Sequence, residues 1–115
     1  MKIKTSELTG AALDCAVAKA LGVDYRVWKG MVVDECSNPL AYHDDWGLAG
    51  PIIERERIDF LWFRSDVEAY ICAADSAGHF TPIASGEGPT PLIAAMRCFV
   101  VSRLGDEVEI PEELK

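Results

Sequence analysis

The densest set of reactive side chains in the sequence is Cys36, His43, Asp44 and Asp45, a thiol, an imidazole and two carboxylates in one polar stretch. Zinc accepts all three ligand types, but a structural zinc site takes two tight ligand pairs such as C-x-x-C and H-x-x-x-H. Neither pair occurs here, so this stretch reads as a polar loop with an incidental thiol. Nucleophilic catalysis would need one of Cys15, Cys36, Cys72 or Cys98 to meet His43 or His79 and an orienting carboxylate. No local motif couples them, and G-x-S-x-G, H-E-x-x-H and P-loop patterns are all missing. The expectation is no catalytic residue, no metal and no cofactor.

Ser85-Gly86-Glu87-Gly88-Pro89-Thr90-Pro91 places glycines before a helix start, where backbone N–H groups and the helix dipole can hold an anion. Glu87 opposes an anion, and Pro89 and Pro91 remove two donors, so Thr90 is expected to cap an ordinary helix. Among the aromatic residues, Tyr42 and Trp46 fall in the polar stretch rather than on a periodic face. Tyr42, Trp46 and Thr90 are therefore the candidates for contact with a ligand or partner.

Around these positions the chain divides into recognisable elements. Residues 3–8 suggest a short strand, and Thr9 and Gly22 bracket a helix over residues 10–21. That helix has Leu13, Ala16, Val17, Ala20 and Leu21 at helical spacing and enough alanine to pack on more than one side. Residues 25–28 and 31–33 predict an extended segment broken at Gly30, and residues 34–47 predict a long loop. Asp44 or Asp45 introduces a short helix that takes in residues 51–57. Residues 58–63 and 67–72 predict an antiparallel hairpin. Residues 75–90 are turn-rich, and a helix over residues 91–104 begins at Pro91 and stops at Gly105. Leu13, Val17, Leu92, Met96 and Phe99 are expected to be buried with Ile58, Phe60 and Trp62, one stripe from each long helix facing the sheet.

These elements make a single α+β domain over residues 1–115: a small, mostly antiparallel sheet packed with two long helices and one short helix, an α/β sandwich. Half of the 115 residues are hydrophobic and 26% are charged, a composition with enough apolar surface for a core. With 11 Lys and Arg against 19 Asp and Glu the net charge is -8, which repels a phosphate backbone and argues against direct nucleic-acid binding. Asp106, Glu107, Glu109, Glu112 and Glu113 read as a solvated acidic tail. No secretory h-region opens the sequence, no stretch spans a membrane, and the scattered thiols suit a reducing compartment, so a cytoplasmic protein is expected.

Several segments together resemble the NinX-like family of small phage and prophage proteins. They are Glu7-Leu8-Thr9-Gly10-Ala11-Ala12-Leu13-Asp14 with Ala16-Val17-Ala18, Asn38-Pro39, the run from Trp46 through Gly50-Pro51-Ile52-Ile53-Glu54-Arg55-Glu56, and Thr90-Pro91-Leu92-Ile93-Ala94-Ala95-Met96-Arg97. The family is related in pattern to the phage α-β-α sandwich domains. The resemblance implies helices on a small sheet, a phage or prophage origin in a bacterial host, and no catalytic residues to carry over.

Three functions follow as expectations. The first is a non-enzymatic accessory protein that binds a host or phage protein. The second is a small-ligand sponge for a nucleotide signal, which a pocket lined by Tyr42, Trp46 and Thr90 would favour. The third is an acidic mimic of DNA. A homodimer is also expected, because helices on one side of the hairpin would leave Leu61, Phe63, Tyr70 and Cys72 as an apolar patch.

Overall fold

The computed structural model describes residues 1–114. The chain forms β1 (Lys2–Lys4), a 3-10 turn (Thr5–Glu7), α1 (Gly10–Leu21), β2 (Arg26–Trp28), β3 (Met31–Val33) and α2 (Trp46–Glu56). There follow β4 (Asp59–Trp62), β5 (Val67–Ala74), β6 (Phe80–Gly88), α3 (Pro91–Leu104), β7 (Glu107–Glu109) and a final 3-10 turn (Glu112–Leu114). All strand pairs are antiparallel: β4-β5-β6 is the main sheet, and β1-β7 and β2-β3 are two-stranded ribbons. This is an α+β fold.

Helix α3 is the hub. One side lies on β5 and β6, and α1 and α2 pack on it as well, so Leu92, Ala94, Ala95, Met96, Cys98, Phe99 and Val100 are all buried. Its ends follow from local chemistry: Thr90 Oγ1 accepts the Ile93 N–H at 3.2 Å, Pro91 needs no donor at the first position, and Gly105 ends it. Against β6 the helix presents small residues. A Cβ placed on Gly86 would stand 2.5 Å from the Ala94 carbonyl and inside contact distance of the Cys98 backbone, while one on Gly88 would stand 2.7 Å from Ile93 Cγ2.

Helix α1 is buried through seven consecutive residues, Ala12, Leu13, Asp14, Cys15, Ala16, Val17 and Ala18. Such all-round burial is what a helix rich in small residues permits. Gly22, at φ +74°, closes it with an N–H to the Ala18 and Lys19 carbonyls. Thr9 stands at the cap position without a side-chain bond. Helix α2 starts at Trp46, with Asp45 Oδ1 accepting the Gly47 N–H at 2.8 Å, so Trp46 belongs to a helix and not to the loop the sequence suggests. Lys29 and Gly30, both at positive φ, make the two-residue turn joining β2 to β3.

Four further expectations need correction. Leu13, Val17, Leu92, Met96, Phe99 and Ile58 are buried and Phe60 is half-buried, but Trp62 is 65% exposed, because it lies at the edge of the sheet. α1 packs on α3 instead of turning its stripe to the main sheet. Residues 80–88, read as turns, form the longest strand, and the acidic tail contributes β7, whose Glu107 and Glu109 sit opposite Lys4 and Lys2. Thr5 fastens that terminal ribbon, its Oγ1 donating to the Gly105 carbonyl at 2.7 Å and its N–H to the Asp106 carbonyl at 2.7 Å.

Two substitutions test the hub. Phe99→Ala should cost about 3–5 kcal/mol in a urea unfolding series, as a fully buried aromatic whose site is walled on both sides. Gly86→Ala should destabilise by about 3 kcal/mol or more, since backbone atoms must move, and Gly88→Ala should cost less because a side chain can yield.

Candidate functional site

A cleft of about 660 Å³ runs along the outer edge of β6. Ser85, Gly86, Glu87 and Gly88 form its floor with Arg97 and Val101 of α3. Lys4, Thr5 and Ser6 stand on one wall and Asp106 and Glu107 on the terminal ribbon beside them, while Asp66 and Glu68 reach it from the start of β5. Among the described residues β6 pairs with β5 alone, so this edge has no strand partner.

Arg97 organises the floor. Its Nε donates to the Leu8 carbonyl at 2.9 Å and its Nη1 to the Glu87 carbonyl at 2.7 Å, which ties α3 to the entry of α1 and caps one carbonyl of the open strand. Burial pushes its guanidinium pKa down, and the nearby Glu87 charge opposes that shift. Five carboxylates, Asp66, Glu68, Glu87, Asp106 and Glu107, surround Lys4 and Arg97, so the cleft is acidic overall. Carboxylates and strand carbonyls accept hydrogen bonds, so such a lining suits a ligand rich in N–H donors and positive charge.

The reactive stretch of the central loop has a different use. Asp14, buried on α1, accepts the His43 backbone N–H at 2.9 Å, and His43 Nδ1 lies 2.9 Å from both carboxylate oxygens. His43 Nε2 lies 3.6 Å from Asp44 Oδ2. The pair binds the segment before α2 to the middle of α1. Burial raises the Asp14 pKa, and the hydrogen bonds from His43 pull the other way. His79 sits on the β5–β6 turn beside Asp75, so neither histidine lines the cleft. Cys15 and Cys98 are buried, Cys98 with its thiol pushed up to about 12 chiefly by burial.

The residues singled out from the sequence occupy three separate settings. Tyr42 is 5% exposed and belongs to the core, its phenol pKa raised by burial and then by the charges of Asp14 and Asp34. Trp46 is 56% exposed on the first turn of α2. Thr90 caps α3. None of them lines the cleft. What sequence reading missed was the cleft itself: Glu87, the glycines and Arg97 lie close together in the chain, but Lys4, Thr5 and Ser6, far from them in sequence, gave no sign that they meet them.

A family model described as Bacteriophage P22, NinX matches residues 4–103. No curated protein matches the chain. Among the described residues no helix is long and apolar enough to cross a membrane.

The raised Asp14 pKa sets a pH dependence. A carboxyl whose folded pKa lies above its unfolded value adds stability below the unfolded pKa and loses it as pH rises through the folded one. Urea unfolding should therefore show the wild type gaining on Asp14→Asn as pH falls toward the ordinary carboxyl value of 3.8. A stability difference between the two that stays constant with pH would contradict the shift.

Proposed function

Because the chain belongs to the bacteriophage P22 NinX family, we propose that it is a phage or prophage accessory protein whose activity is binding. Its partner in this reading is a host or phage protein, engaged through a cationic, extended segment that enters the β6 cleft. The observation that supports this is the lining: five carboxylates beside an unpartnered strand edge, with Arg97 already engaged by two backbone carbonyls. An extended chain laid along β6 would add main-chain hydrogen bonds, as in strand addition, while the carboxylates select its positive charge. Four free thiols suit action in the reducing host cytoplasm.

A nucleotide-signal sponge fits less well. Its phosphates would meet like charge in the cleft, and Tyr42, Trp46 and Thr90 do not line that recess. An acidic mimic of DNA also fits less well, since five of the carboxylates surround a recess instead of tracking a phosphate spacing.

Affinity capture from phage-infected lysate, run across a salt series, tests the reading. Captured partners should share a basic segment, elute early with salt, and bind the Glu68→Gln/Glu87→Gln variant about tenfold more weakly. Equal capture by the variant and the wild type would remove the cleft as the binding site.

A further inference from the structure

The distal half of the β5–β6 hairpin projects from the body as an arm. Residues 73–83 are exposed without interruption. β4 pairs only from Asp59 opposite Tyr70 to Trp62 opposite Val67, so beyond Tyr70 the hairpin is a two-stranded ribbon with both edges open. Isolated ribbons of this kind are marginal in water. This one also displays Phe80 at 75% and Ile83 at 65% exposure.

Register and charge divide the sheet face that points away from α3. Val67, Ala69 and Ile71 share the α3 side with Gly86 and Gly88, so Glu68, Tyr70, Cys72 and Ala74 take the other face with their partners. At the base that face holds Asp59, Glu68 and Glu87; on the arm it holds Cys72, Ala74, Phe80 and Pro82. Between Ala69 and Gly86 the only carboxylate is Asp75, whose Oδ2 lies 3.4 Å from His79 Nδ1. On a chain of net charge -8, two arms bring together one carboxylate each, Asp75 at the turn, whereas two bases bring together three each, Asp59, Glu68 and Glu87.

We propose that the occupant of the arm is a second copy of this chain. A two-fold axis through the arms lays the Phe80 and Pro82 face of each on the other and sends the two acidic bases to opposite ends. The contact leaves Leu61 and Phe63 outside it and both β6 clefts open. It thus keeps Cys72 of the patch the sequence suggests but moves the contact from Leu61 and Phe63 out along the arm.

Sedimentation equilibrium of the full chain tests this. The wild type at about 100 µM should approach twice the 12.6 kDa chain mass, and Phe80→Glu should raise the dissociation constant at least about tenfold. Phe63→Glu, at the base, should leave it unchanged. A wild-type mass of 12.6 kDa at that concentration overturns the proposal, as does dissociation by Phe63→Glu with Phe80→Glu still dimeric. Hydrogen exchange of the wild type provides a readout independent of variant folding. Amides in residues 72–82 should gain protection as concentration rises, and unchanged exchange there counts against the arm contact.

Discussion

The approach of α3 to β6 is the constraint on which the remaining architecture depends. The helix backbone comes so near the strand at Gly86 that no side chain fits between them. Ala94 and Cys98 are the small residues that let it do so. With one side on β5 and β6, α3 turns its remaining apolar surface toward α1 and α2. α3 is accordingly apolar around almost its full circumference, which is the expected composition of a helix buried on all sides. From Pro91 to Val101 Arg97 is the exception, and it resolves its polarity by giving its hydrogen bonds to the Leu8 and Glu87 carbonyls.

Elements with strong local punctuation were legible from the sequence. α1 and α3 run between the residues their caps and glycines indicate, and Asp45 opens α2 as an acidic cap should. β6 was not legible, because the residues that look like turn formers are there for tertiary reasons. Gly86 and Gly88 are set by the nearness of α3, and Pro82 is tolerated because the strand lies at the sheet's edge. Local propensity sees a glycine and a proline; it does not see the helix that makes the glycine necessary. The reading of Trp62 failed for a related reason: alternation assigns it to the α3 side correctly, but the helix does not extend over the sheet's edge, so the ring stays in solvent.

The cleft was legible only in fragments. Its acidic character shows in composition, and its floor contains the glycine-rich segment that drew notice as a helix entrance. Its walls come from both ends of the chain, Lys4 to Ser6 and Asp106 to Glu107, which no local pattern links. The aromatic residues of the central loop were misleading because exposure is decided by what packs on them. Tyr42 is drawn into the core by the same segment that Asp14 holds through His43, while Trp46, a few residues on, points out from the first turn of α2.

The pairing of β1 with β7 has a consequence for synthesis in the cell. Lys2, Ile3 and Lys4 leave the ribosome long before their strand partners Glu109, Val108 and Glu107. During translation the amino-terminal segment must wait unpaired while α1, the sheet and α3 are produced, and Thr5 cannot reach the Gly105 carbonyl until that residue has left the exit tunnel. Closure of this ribbon thus comes after α1, the sheet and α3 have been made, and it joins very sequence-distant residues, the kind of contact whose loop entropy slows folding most.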